Sequence, residues 1–225
     1  MLGVGGLGCP AALALAEEMP DLRLVLVDDD RVERSNLARQ ILFTDREVGE
    51  PKALAAARRL SQLAPGIRAE PRIARFTSGS AKELLDGCDV LLDGTDDFET
   101  RFAANDAACA LGIPLVHGAA LAWTGQLLTV LPERGSCLRC LFEGPPPPGA
   151  LPTCAEAGVA SPLCGVVGAA MAGEAARLLR GGQPLALGRL HQWDALRDRE
   201  RDVLVPRDPR CPACGLASRA AIRHP

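Results

Sequence analysis

The chain has no tyrosine, and only five phenylalanines and two tryptophans among its 225 residues. So few rings leave no platform on which successive bases stack. Nor is there a basic surplus: the formal net charge is −3, which argues against nucleic acid as the main partner. No apolar run reaches the length expected of a membrane span, because residues 162–179, the most apolar helix, are interrupted by Glu174 and Arg177. A secretory leader is also missing, since only eight residues precede Cys9 in Leu7-Gly8-Cys9 and none is basic. Together these absences describe a cytoplasmic chain with no membrane partner.

Lysine is scarce too. Of 25 basic residues, two are lysines, Lys52 and Lys82. Lys52 stands in Gly49-Glu50-Pro51-Lys52, after Ser35-Asn36-Leu37-Ala38-Arg39-Gln40 and downstream of the turn Gly3-Val4-Gly5-Gly6-Leu7-Gly8. A compact ammonium and a forked guanidinium are the cations expected around a polyphosphate. Taken alone, Lys52 reads better as a solvated residue in a helix's first turn.

Apolar periodicity alternates between helix and strand. Helices are expected over 9–19, 51–63, from Ser80, over 97–111 with Gly112 closing, and over 162–180. Strands are expected near 22–27, 67–76, 89–92, 113–117, 126–131, 187–193 and 203–205. The order implies an α/β fold, a Rossmann-like, mostly parallel sheet with helices on both faces, in a single domain over 1–225. Gly144-Pro145-Pro146-Pro147-Pro148-Gly149 reads as a loop inside that domain. One element is missing: a dinucleotide turn follows a strand, yet only Met1 and Leu2 precede Gly3.

Gly3-x-Gly5-x-x-Gly8 opens a helix whose N-terminal amides suit a phosphate. Asp28, twenty residues beyond Gly8 at a strand end, suits ribose hydroxyls. Asp96 and Asp97 follow the 89–92 strand at the edge where open α/β sheets bind ligands. A carboxylate there holds Mg2+ or, as Asp96, caps the next helix. Arg39, Lys52 and the acidic pair favour ATP over NAD. His117 and His191 read as packing residues or local hydrogen-bond partners.

Nine cysteines are an odd count, and four fall in Cys137-x-x-Cys140 and Cys211-x-x-Cys214. Two such knuckles supply four thiolates for a structural zinc (Zn2+) that ties the C-terminal part to the sheet. Cys154 stands alone after the proline run, as a reactive thiol or as an ordinary loop cysteine. Cys9, Cys88, Cys109 and Cys164 fall in element patterns and read as packing.

In order and spacing these motifs, with Asp28-Asp29-Asp30, Thr95-Asp96-Asp97 and Cys154-Ala155-Glu156-Ala157-Gly158-Val159, resemble the MoeB/ThiF/HesA adenylyltransferases. The resemblance covers nearly the whole chain. It implies ATP binding by Gly6, Asp28, Ser35, Asn36, Leu37, Ala38, Arg39, Lys52, Asp96 and Asp97, with Mg2+ on Asp96. It implies adenylation of the C-terminal glycine of a ubiquitin-like sulfur carrier ending in Gly-Gly, in molybdenum cofactor or thiamine biosynthesis. Arg39, Lys52, Asp96 and Cys154 would serve the reaction. It further implies a homodimer, whose partner subunit supplies an arginine from the segment upstream of the first strand. The chain departs from the family pattern at that missing strand, at Asp97 where asparagine is usual, and in a slightly longer loop before Cys154. The upstream gap implies a longer natural chain or a product that folds poorly. A non-catalytic carrier-binding scaffold and an NAD-dependent oxidoreductase are the alternative readings.

Overall fold

The computed structural model describes residues 1–132, 134–147, 149–150 and 154–215, with only the backbone of residues 154 and 155. The proline-rich loop and the stretch before Cys154 lie partly outside the described residues.

Helix α1 (Gly8–Glu18) is built from alanine and leucine, with Pro10 in the first turn, where its missing N–H costs nothing. It leads into β1 (Arg23–Val27), whose Leu24 to Val27 are buried. Then follow α2 (Lys52–Leu63), β2 (Arg68–Arg72), α3 (Ala81–Leu84), β3 (Leu91–Asp93) and α4 (Phe98–Leu111). Asp97 caps α4 at its start, and Gly112 ends it in the left-handed region at φ 72°. Next come β4 (Leu115–Leu121), β5 (Thr124–Val130), α5 (Leu138–Leu141), α6 (Cys154–Ala157), α7 (Ser161–Leu179), β6 (Arg189–Asp194) and β7 (Arg199–Leu204).

Strands β1 and β2 pair in parallel, as do β3 and β4, while β4 through β7 continue as an antiparallel meander. The parallel half is therefore the glycine-turn half. Before the glycine turn, Leu2 bridges Val27 on one side and Asp93 on the other, both in parallel. Leu2 N–H donates to Leu92 O (2.8 Å) and Gly3 N–H to Val27 O (2.9 Å). The Met1 ammonium is buried and donates to Val25 O at 2.7 Å, and burial pulls it down to about 6.

Strand alternation divides the core. Leu24, Leu26, Leu92, Val116 and Leu127 pack with α1, α2 and α7. Val25, Val27, Leu91, Leu115 and Leu128 face α3, α4 and the paired cysteines. Helices thus cover both faces, as period-2 burial requires. Helices α1 and α7 approach closely because Gly168 has no side chain; a β-carbon there would lie 2.6 Å from Leu7 O.

Contrary to the sequence reading, α7 passes for a membrane span by length and composition. Half of its most apolar window is buried inside the fold, and its acidic residue is bonded there. Glu174, 3% exposed, accepts from the Thr129 hydroxyl (2.7 Å) and from the Leu185 and Ala186 amides (2.9 and 3.0 Å). The residue that interrupts the apolar pattern is the one that bolts the helix to β5. Glu174→Ala strands one hydroxyl and two amides, and should cost about 3 kcal/mol. The check is a lower urea midpoint at unchanged m-value.

Candidate functional site

A cavity of about 470 Å³ opens at the carboxyl ends of β1 and β3, the edge that α/β sheets use for ligands. Its floor is the glycine turn. Gly3 sits at φ +77°, and a β-carbon on Gly8 would lie 2.1 Å from Gly3 O, so the turn tolerates no side chain at either position. Asp28 closes this turn: its Oδ2 accepts from Val4 N–H (2.7 Å) and its Oδ1 from Asp30 N–H (2.9 Å). Burial pushes its carboxyl above the ordinary value.

The two cations face the same cavity. Lys52, the first residue of α2, is buried at 6% exposure and donates from Nζ to Asp30 Oδ2 at 2.7 Å. It is thus a first-turn lysine, but not a solvated one. Arg39 donates to Asn36 Oδ1 (2.6 Å), and its stem runs past Gly6, with Cδ 3.3 Å from where a β-carbon would stand. Asn36 and Arg39 line the cavity; Ser35, Leu37 and Ala38 do not. Ser35 donates to Glu33, Leu37 packs on the core, and Ala38 is exposed, because the turns over residues 34–39 point alternate side chains away.

On the opposite wall the acidic pair separates into two roles, and the cap is Asp97 rather than Asp96. Asp97 accepts from Glu99 N–H (3.3 Å), Thr100 N–H (2.9 Å) and the Thr100 hydroxyl. Burial works against it, but these bonds hold its carboxyl below the ordinary value. That places the charge of Asp97 on the helix N-terminus, where it is stabilised. Asp96 is exposed, lines the cavity and has no hydrogen bond or ion pair among the described residues, leaving its carboxylate available to a cation.

Behind Asp96 lies a buried network that sequence reading missed. Asp93, fully buried, accepts from the Thr95 amide (3.1 Å) and hydroxyl (2.6 Å) and pairs with His117 Nδ1 at 2.8 Å. Arg101 donates twice to Thr95 O, at 2.9 and 2.7 Å. The only signal in the sequence was an aspartate and a histidine, each ending a buried strand. Gln40, Arg75, Thr100, Arg101 and Cys164 also line the cavity. Cys164 is therefore more than packing; its Sγ lies 3.2 Å from where a β-carbon on Gly6 would stand. His191 makes the local bond expected of it, to Asp202 Oδ1 at 2.7 Å.

The four paired cysteines converge away from the cavity. Their sulfurs all lie within 4.8 Å of one another, with Cys137–Cys211 at 3.6 Å and Cys140–Cys214 at 3.4 Å. Tetrahedral bonds of about 2.3 Å would space sulfurs about 3.8 Å apart, so the set fits one ion of that size. A hydrogen bond with Cys109 raises the Cys137 thiol, one with Cys137 raises Cys214, and burial raises Cys211. The side chain of Cys154 lies outside the described residues. Its backbone opens α6, and just beyond, Val159 bridges Ala122 beside the cavity.

Burial would raise the Asp93 carboxyl, but His117, Arg101 and Thr95 outweigh it and hold it below the ordinary 3.8. The unfolded chain therefore binds the proton first as pH falls. Stability from this group is complete above about pH 4 and is lost as pH drops through the lower folded value. Asp93→Asn should flatten the difference in unfolding free energy measured by urea at about pH 5 and about pH 3.

With this geometry in hand, comparison with known proteins is informative. Residues 1–213 match the ThiF family. The sulfur carrier protein adenylyltransferase of Thermus thermophilus is 49% identical over 221 residues, which span 96% of this chain and 81% of that protein. The sulfur carrier protein ThiS adenylyltransferase of Escherichia coli is 41% identical over 217 residues, spanning 96% and 84%. The adenylyltransferase and sulfurtransferase MOCS3 of Anopheles gambiae is 40% identical over 218 residues, and the chain spans 49% of its length. Among solved structures, E. coli MccB with ATP superposes with a TM-score of 0.81 at 19% identity, covering 95% of this chain and 65% of that one. The last likeness shows the fold alone; the family match and the identities of 40–49% carry more. On that evidence the chain belongs to the ThiF family.

Proposed function

We propose that the chain uses ATP to adenylate the C-terminal glycine of a small ubiquitin-like sulfur-carrier protein. The observation that carries this reading is the convergence of Arg39, Lys52 and the unpartnered Asp96 on one glycine-floored cavity. The relatives named above, sulfur carrier protein and ThiS adenylyltransferases, support the same class of substrate.

A carrier's terminal carboxyl, with a pKa of roughly 3.3–3.7, is ionised at neutral pH and needs no general base to attack the α-phosphorus. One of its oxygens bonds to phosphorus, and the bond to the bridging oxygen breaks, releasing pyrophosphate. Rate then depends on alignment and on charge neutralisation. Lys52 enters with its ammonium already desolvated and held by Asp30; a phosphate oxygen is a second acceptor for the same three donors. Arg39, its fork steadied by Asn36, offers further donors beside Gly6. Asp28 offers its remaining lone pairs to ribose hydroxyls. Asp96 is the residue that would hold Mg2+, which when bound neutralises phosphate charge. Asp97, committed to its helix, takes no part in holding that ion.

The four cysteines would hold Zn2+ as a closed structural site, leaving no position for substrate. Cys154, five residues before the bridged Val159, would supply a thiol to the activated carrier in the same reading. A single unit over 1–225, a homodimer and a cytoplasmic setting belong to the same reading, as does service to thiamine or molybdenum cofactor synthesis.

Exchange of pyrophosphate into ATP, measured with ThiS-type and MoaD-type carriers, is the direct test. Exchange with one carrier names the substrate, and silence with all of them defeats the proposal. Lys52→Ala should reduce exchange by about 100-fold or more without changing zinc content by elemental analysis; retained exchange would remove Lys52 from the machinery. Cys211→Ser should lose bound zinc and lower the melting temperature by several degrees, while ATP still protects the fold against heat.

A further inference from the structure

Within the wall of the cavity, Gln40 stands apart. It is 3% exposed, and its Oε1 is buried with no hydrogen-bond donor among the described residues. Its backbone is anchored on both sides, Gln40 N–H donating to Asn36 O (3.1 Å) and Phe43 N–H to Gln40 O (3.0 Å). The backbone that carries the side chain is therefore held at two points. Its Nε2 lies 3.8 Å from where a β-carbon on Gly5 would stand, and Gly6, Ala120, Val159 and Cys164 line the same cavity. A buried acceptor with nothing to accept destabilises the unliganded fold. Its persistence at a cavity wall points to a donor that arrives with the ligand.

Phosphate and carboxylate groups bring no such donor at neutral pH, since both are ionised. The acceptor must be served by an N–H or an O–H. Ribose hydroxyls have a partner in Asp28, whose carboxylate caps the same turn, and the adenine amino group, the nucleotide's other donor, lies beyond the ribose from the phosphates that the turn beside Gln40 would hold. The remaining reactant is a protein tail, and the nitrogen of its last residue lies two bonds from the carboxylate carbon. A carboxylate brought against the glycine turn carries that N–H with it. The small residues nearby, Gly6, Ala120 and Val159, suit a tail with no side chains of its own.

We propose that Gln40 Oε1 accepts the N–H of the carrier's last peptide bond and so aligns the terminal carboxylate for its attack on the α-phosphorus. This rests on the adenylyltransferase reading and names a positioning contact within it. Gln40 exchanges no proton in the step: the carboxylate oxygen bonds to phosphorus, pyrophosphate departs, and the tail N–H stays intact.

The test pairs Gln40→Met, similar in size but without the acceptor, with a semisynthetic ThiS-type carrier whose last amide is replaced by an ester. That ester has no N–H. With wild-type protein, the ester carrier should lower kcat/KM for pyrophosphate exchange on the order of tenfold, the loss expected of one hydrogen bond whose buried partner is left unserved. Gln40→Met should lose a similar factor with the native carrier and nothing further with the ester, while its KM for ATP stays unchanged. Its unliganded melting temperature should equal or exceed wild type, because an orphaned buried oxygen has been removed. Equal rates with amide and ester carriers on wild type overturn the proposal. So does an ester penalty that survives in Gln40→Met, or a loss of ATP affinity, which would assign the amide to the nucleotide. A clear drop in melting temperature makes Gln40 a structural residue and also overturns it. If the variant does not fold, the ester carrier on wild type decides alone. A wild type that exchanges with no native carrier defeats the underlying reading instead, a result distinguishable from all of these.

Discussion

A desolvated ammonium hydrogen-bonded to a single exposed carboxylate governs the chemistry of this fold. Lys52 is buried, yet its partner Asp30 faces water, with 69% of its side chain exposed. Removing an ammonium from water costs several kcal/mol unless a partner repays it, and a single solvated carboxylate repays only part. The lysine also occupies the first position of α2, where the helix dipole repels a cation. Two local rules are thus broken at one residue, as happens where a site is built for something else. The acidic run Asp28-Asp29-Asp30 makes the arrangement tolerable, and a polyphosphate would complete it.

Around that charge the sheet divides labour between its faces. One face packs α1, α2 and α7 through leucines, alanines and the close approach at Gly168, which holds the glycine turn still. The other packs α3, α4 and the cysteine cluster, bringing both knuckles together across 74 residues of chain. The cost of closing so long a loop grows only logarithmically with its length, so one shared ion would suffice to fix the C-terminal part. Asp93, His117, Thr95 and Arg101 then link the sheet interior to the exposed carboxylate of Asp96. The reactive surface of the cavity is small, but its support runs deep into the core.

Much of this was legible in the residues. Period-2 and period-3.6 patterns placed the main helices and strands, because burial on alternate faces writes itself into the sequence. Cysteine pairs and the glycine turn announced themselves through spacing. What stayed hidden was direction. On paper Asp96 reads as the helix cap, and only the path of the backbone hands the role to Asp97. Ser35, Leu37 and Ala38 share a motif with Asn36 and Arg39, yet a tight turn sends them elsewhere. The Asp93–His117 pair joins residues 24 apart that meet only when β3 and β4 lie side by side. Helix α7 looked too interrupted for a membrane yet passes by length and composition; its buried carboxyl is bonded inside the protein.

The seam at Leu2 has a mechanical corollary. The β1–β2 ladder and the five-stranded ladder meet through residues 1–3, whose backbone bonds run to Val25 and Val27 on one side and to Leu92 and Gly94 on the other. Asp28 and Lys52 belong to one side of that seam and Asp96 to the other, with Gly3 between them. Any molecule held by both sides at once acts as a rivet across the joint, and its arrival would be felt as stiffening of the whole sheet rather than of the cleft alone.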